Sequence, residues 1–184
     1  MEKRETVTIV ERLMEEVGVK DTDRPVVPAA REAAERARQL GKGNRGIFCG
    51  SAIQLPDGRI VVGMNTPLMH SESAAVLNAI KILAGVPDEI DLLPDILISK
   101  IATLKKGVLG RKSESLNVEE VLIALAISAA FSPASEVCLR KLEQLAGREF
   151  HSTHLFGQGD EHGLRKLNLN MTSDGQPTSR GFYY

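Results

Sequence analysis

Aromatic residues are scarce: the 184-residue chain has no tryptophan, two tyrosines and five phenylalanines. Its core must therefore be built from Ile, Leu, Val and Ala. Cysteine is scarcer still. Cys49 and Cys138 stand far apart and outside any CxxC pair, which excludes a disulfide framework and fits a reduced, cytosolic chain. Neither sign of charge dominates. Lys plus Arg total 23 against 24 for Asp plus Glu, and the balance holds locally, with 10 basic and 9 acidic groups in residues 1–45 and 13 and 15 in residues 46–184. Without a polycationic stretch, nucleic acid and anionic membranes are poor default partners. Long apolar runs are also missing. The longest, Val121 to Phe131, is interrupted by Ser128 and is too short to span a bilayer. The opening MEKRETVTIV is charged and lacks the apolar segment of a secretory signal. These absences lead to the expectation of a cytoplasmic protein with no membrane partner. What remains is globular in composition, 42% apolar and 26% charged. The length suits one domain with a real core, or a domain plus a short helical prelude.

Residues 5–17 place Val10, Leu13, Met14 and Val17 at helical spacing, and Gly18 ends the run. Residues 28–40 are rich in Ala, Glu and Arg, opened by Pro28 and closed by Gly41. This helix has only alanines and Leu40 to bury, so it needs a partner surface. Residues 1–43 read as a helical prelude, 44–171 as an α/β domain and 172–184 as a loose polar tail. The character changes at residues 46–55, GIFCGSAIQL, which are β-rich. Pro56-Asp57-Gly58 is a turn signal and Arg59 to Val62 returns, giving a hairpin. A helix follows from Ser71 to Leu83, with small residues Ser73, Ala74 and Ala75 that let it lie close on a sheet. Residues 94–106 form another helix, with a short strand at Ile96–Ile98 as the alternative. Asn117 followed by Glu120 forms a reciprocal cap for a nearly all-apolar helix, Val118 to Phe131. Ser132-Pro133 opens a helix running to about Leu145, Arg148 to Leu155 alternates like a strand, and Gly157-Gln158-Gly159 leads into a short helix, Asp160 to Leu167. The order predicts an α/β fold, a layered mixed sheet flanked by helices.

Four places carry chemistry. His70-Ser71-Glu72 opens the helix after the hairpin, which is how zinc nucleobase deaminases begin: the His binds zinc and the Glu shuttles a proton. Their signature then needs Pro-Cys-x-x-Cys at a later helix start. Here Ser132-Pro133 opens a helix, but the two thiolate positions hold Ala134 and Val137, and Cys138 falls one residue late. One His is not a zinc site, so no metal or other cofactor is assigned, and the alternative is that Ser71 or Glu72 merely satisfies the helix N-terminus. Second, His151, His154 and His162 fall within twelve residues beside Asp160 and Glu161. In a strand, 151 and 154 face opposite sides, and structural roles, ligand contacts and metal binding all stay open. Third, Lys105, Lys106, Arg111 and Lys112 are spaced through Gly107 and Gly110. They fit a phosphate clamp, a dock for an acidic partner or a solvated loop, and no P-loop pattern accompanies them. Fourth, Cys49 is a nucleophile candidate beside His70, against the plainer reading of a buried, inert thiol.

Three stretches, residues 52–90 (AIQLPDGRIVVGMNTPLMHSESAAVLNAIKILAGVPDEI), 116–155 (LNVEEVLIALAISAAFSPASEVCLRKLEQLAGREFHSTHL) and 159–175 (GDEHGLRKLNLNMTSDG), resemble the C-terminal part of a bacterial family known as UPF 0371, or DUF 1846. The resemblance runs from about Asp23 to Asp174. It implies a cytidine-deaminase-like α/β subdomain and carries no established activity. Members of that family are much longer, and the N-terminal portion that they carry is absent here. The resemblance therefore implies a fragment, a shortened relative or one subunit of a split protein.

Two functions follow as expectations. The first is a deaminase-like domain that lacks a complete zinc site and assembles with itself or with a partner chain supplying the missing portion. The second is an enzyme acting on a small polar or nucleotide-like molecule, with His70 and Glu72 as the catalytic pair and Asn65, Thr66, His151 and His154 as substrate contacts.

Overall fold

The computed structural model describes residues 2–177, with side chains from residue 8 onward. Seven α-helices surround a four-stranded mixed sheet. Helices α1 (Glu2–Val17) and α2 (Val26–Gln39) precede the hairpin of β1 (Gly50–Gln54) and β2 (Ile60–Met64). Then come α3 (Ser71–Ala84), α4 (Asp95–Gly107), α5 (Val118–Ala129), α6 (Pro133–Leu139), β3 (Glu149–His154), α7 (Gln158–Lys166) and β4 (Asn170–Gln176). The strand order is β2-β1-β3-β4, with β1 antiparallel to both neighbours and β3 parallel to β4. Among the described residues no helix is long and apolar enough to cross a membrane.

Local chemistry places most of these elements. Gly58, at φ +87, makes the tight turn between β1 and β2. The Asn117 carboxamide accepts from the Glu120 N–H while the Glu120 carboxylate accepts from the Asn117 N–H, the reciprocal cap expected for α5. Segment 94–106 settles as helix α4, not as a strand. The helix from Pro133 is shorter than expected: it closes at Leu139, and residues 142–145 form a separate 3-10 turn. The expected loose tail is corrected in its first part. Residues 172–176 belong to β4, because the open edge of β3 accepts a parallel partner that polar side chains do not exclude. The remainder of that tail, residues 178–184, lies outside the described residues.

Alternation along the strands divides the sheet into two faces. On one, Val26, Val27 and Ala30 of α2 pack on Ala52, with Ile60 and Val62 against them. The surface that the Ala-rich helix needs is thus provided within the chain. A Cβ on Gly50 would lie 2.2 Å from the Ala30 carbonyl oxygen, so only glycine lets α2 approach this closely. The other face carries the main core, where Ile53, Val61 and Phe150 meet Val76, Ile80, Val121 and Leu125. There Gly63 does for α3 what Gly50 does for α2: its Cβ would sit 2.2 Å from the Ala75 nitrogen.

Candidate functional site

The close seating of α3 on β2 fixes where its first turn lies. His70 is the N-cap and Glu72 falls in the first turn, an acid where the helix dipole favours one. Three groups meet there. The Nδ1–H of His70 donates to Oδ2 of Asp160 at 2.7 Å, a carboxylate being able only to accept. Asp160 comes from the first turn of α7, is 2% exposed, and through Oδ1 accepts from the N–H of Val118, the first residue of α5, at 3.0 Å. Behind the pair, Glu72 is 4% exposed and ringed by hydroxyls. Ser152 Oγ donates to its Oε1 at 2.6 Å and Ser71 Oγ to its Oε2 at 3.0 Å, while Ser51 Oγ donates to Ser71 Oγ at 2.9 Å. Alternation puts Ser51 and Ser152 on the α3 face, directly paired across β1 and β3.

His70 and Asp160 line an open cavity of about 810 Å³, together with Asn117, Gly157 and Gly159, the loop Arg111–Ser113, and Arg165. Glu72 is not on that wall. The other ring nitrogen of His70, Nε2, takes no hydrogen bond among the described residues, so the imidazole has one anchored edge and one available to the cavity.

Two shifts follow from this arrangement. Burial pulls the His70 pKa down, but the hydrogen bond and charge of Asp160, joined by Glu72, outweigh it and leave the ring above its ordinary value. Glu72 is raised, first by burial and then by the Asp160 carboxylate, against the lowering effect of Ser152. The donor atoms of His70, Glu72 and Asp160 lie within 4.8 Å of one another, so one imidazole and two carboxylates are grouped as a cation would need them. No thiolate joins them. Cys49 is buried, and burial, with Glu72 and Asp160 adding, pushes its thiol far above its usual range, in keeping with the plainer reading of a buried, inert thiol.

The structure also corrects which helix faces His70. Ala134 and Val137 belong to α6, whose Cys138 is close enough to Lys81, in the last turn of α3, for that charge to act on its thiol. The helix start that meets His70 is α7, and it brings Asp160. Sequence patterning missed this because it sought the second motif after a proline. The usable signal was topological: α7 is the helix that directly follows the third strand.

The remaining candidates lie elsewhere. Asn65 is 6% exposed and clamps backbone, accepting from the Cys49 N–H at 2.7 Å and donating to the Ile47 carbonyl. Thr66 Oγ1 accepts from the N–H groups of Leu68 and Met69 and shapes the turn into α3. His151 points to the α2 face, with Nδ1 2.9 Å from Thr172 Oγ1 and Nε2 3.3 Å from Asp174 Oδ1. His154 is 7% exposed and its Nδ1 lies 2.9 Å from Thr153 Oγ1; it lines a separate cavity of about 260 Å³ with Arg38 and Phe48. His151 is thus divided by the sheet from the cluster around Glu72, and His154 serves another pocket. His162 pairs with Glu119 on the rim of the large cavity.

Comparison with known proteins places the chain. Residues 22–183 match the model described as "Domain of unknown function DUF1846, C-terminal". A UPF0371 protein of Fusobacterium nucleatum is 39% identical over 183 residues, covering 98% of this chain and 36% of that protein. A UPF0371 protein of Clostridium tetani is 36% identical over 181 residues, and one of Clostridium botulinum 38% over 182, with the same coverage of 98% and 36%. The chain thus spans about a third of the length of these relatives. It belongs to the DUF1846 (UPF0371) family and corresponds to that family's C-terminal domain.

Proposed function

We propose that this is a cytidine-deaminase-like α/β domain in which the His70–Asp160 pair, backed by Glu72, serves as an acid–base site for a small polar molecule. The observation that carries the proposal is the 2.7 Å bond between His70 Nδ1 and a carboxylate that is 2% exposed, beside a cavity large enough for a metabolite. The deaminase likeness is supported by a hairpin leading into a His-x-Glu helix, and by a third strand leading into the helix that completes the cluster. Zinc nucleobase deaminases use thiolates at that second helix; here a carboxylate holds the ring instead. Asp160 fixes the Nδ1–H tautomer, so Nε2 offers a lone pair to a ligand hydroxyl or a water in the cavity. The imidazolium formed on taking that proton is stabilised by Asp160, and proton return completes the cycle. Glu72 stays behind the wall and raises the basicity of the ring. Its two free cysteines suit a reducing, cytoplasmic setting.

Histidine-resolved NMR tests this. In the native chain the neutral His70 ring carries its proton on Nδ1 and titrates above the ordinary histidine range. In Asp160→Asn that pKa falls and the tautomer preference is lost. A His70 ring with the Nε2–H tautomer, or one indifferent to Asp160, would end the proposal. Stoichiometric metal bound to His70, Glu72 and Asp160 after metal-supplemented expression would replace proton transfer with metal chemistry.

A second reading, assembly, is favoured by α1. Ile9, Val10, Leu13 and Val17 are 59%, 47%, 52% and 72% exposed and form an apolar stripe. The occupant we propose is the portion by which the longer relatives exceed this chain. Co-expression of that portion of a relative should give a stable complex that Leu13→Glu disrupts, and light scattering should show this chain alone as a monomer.

A further inference from the structure

The basic run at residues 105–112 lies outside the His70–Asp160–Glu72 cluster. The structure sorts its members. Lys105 is 5% exposed and is committed to the Ser115 carbonyl and to Glu120 Oε2, the latter at 2.6 Å. Lys106 pairs with Glu114 at 2.6 Å. Arg111 and Lys112 are exposed, line the cavity that contains His70, and make no ion pair or side-chain hydrogen bond among the described residues.

Each of the other charged side chains of the wall has a hydrogen-bonding partner. Asp160 is held by His70, Glu119 by His162, Glu120 by Lys105 and the Asn117 N–H, and Glu161 by Arg165 at 2.8 Å. Once these pairs are set aside, two adjacent cations remain unspent, carried on the loop that turns at Gly110 (φ +61).

We propose that Arg111 and Lys112 are a phosphate-binding rim, so that the molecule presented to His70 is a small phosphate monoester. This rests on the acid–base site at His70–Asp160 and names the substrate class for it. A phosphate monoester near neutral pH carries about 1.5 to 2 negative charges, which two monocations match and a single carboxylate does not. The guanidinium fork of Arg111 takes two phosphate oxygens in one plane and the Lys112 ammonium is a third point of contact. The cavity volume of about 810 Å³ leaves room for the body of the molecule between rim and imidazole.

The test is NMR titration of the tag-free chain with inorganic phosphate, ribose 5-phosphate and ribose. Both phosphates should shift the amides of Arg111, Lys112 and Gly159 saturably, ribose should not, and added salt should weaken the effect. The double variant R111A/K112A should weaken binding by about tenfold or more, and K106A by less than about twofold. Absence of saturable phosphate binding, or equal affinity in R111A/K112A, overturns the proposal. If that happens while His70 keeps its Asp160-dependent tautomer, the ligand class fails and the acid–base site stands. If the tautomer is also wrong, the underlying site has failed.

Discussion

The two faces of the sheet carry the same ingredients, a histidine against a carboxylate, and put them to different use. On the α2 face, His151 approaches Asp174, but Arg31 also grips both oxygens of Asp174 at 3.0 and 2.7 Å, and Arg24 binds Glu149 at 2.6 Å. Burial works to raise Asp174, yet the nearby His151 ring and the bonds from Arg31 prevail and hold it well below the usual carboxylate range. On the α3 face no arginine among the described residues reaches Glu72 or Asp160, and their donors are hydroxyls, one backbone N–H and one imidazole. A permanent cation makes a carboxylate structural. Without one, the carboxylate is left to govern a group that titrates, and Glu72 is pushed up instead of down.

The largest expected effect tests whether the faces are equal in packing, so that only their charges distinguish them. Gly63→Ala and Gly50→Ala each drive a methyl into backbone, at 2.2 Å from the Ala75 nitrogen and from the Ala30 carbonyl oxygen respectively. Each should destabilise by about 3 kcal/mol or more. A melting temperature lowered by about 6–12 °C would express that for a chain of this length. If Gly50→Ala is tolerated, α2 is the looser layer and the symmetry fails.

Asp174→Asn comes next, at about 1 kcal/mol, discounted because the Arg31 side chain is 42% exposed. The Asp174 pKa is depressed in the fold, so its contribution is present above the unfolded carboxylate value of about 3.9 and is lost as pH falls through the folded one. Denaturation curves of native and variant should therefore differ at neutral pH and converge in strong acid. A constant gap across pH would assign the loss to packing.

Glu72→Gln should have an effect no larger than that of Asp174→Asn and of the opposite sign. A carboxyl whose folded pKa is raised costs stability once pH exceeds its unfolded value, about 4.3. The variant should be more stable than the native chain by about 1 kcal/mol near neutrality, with the gap closing in acid, while the His70 pKa falls. Destabilisation at neutral pH would show Glu72 to be a structural group like Asp174, and the contrast between the faces would be lost.

Much of this was legible in advance. The hairpin came from Pro56-Asp57-Gly58, and the α5 cap from Asn117 and Glu120, because those signals are local and backbone geometry enforces them. His70 and Glu72 were singled out for the same reason. Their partner was not. Asp160 lies 90 residues from His70 in the chain, and which helix start faces which is set by the path of the chain over the sheet. His151 and His154, expected as substrate contacts beside His70, are engaged elsewhere, His151 at Thr172 and Asp174 and His154 in the pocket with Arg38 and Phe48, because closeness in sequence and similar chemistry do not bring side chains to one site.

The amino-acid sequence by itself determined the element order as far as α7 and the His-x-Glu helix start, since each depends on neighbours within one turn or one hairpin, and long matched stretches gave the family. Only the tertiary structure decided that Asp160 anchors His70, that Glu72 sits behind the wall, and that Arg111 and Lys112 have no side-chain partners among the described residues. Those facts depend on burial and long-range pairing, and burial and pairing set charge state and availability, which no local pattern encodes.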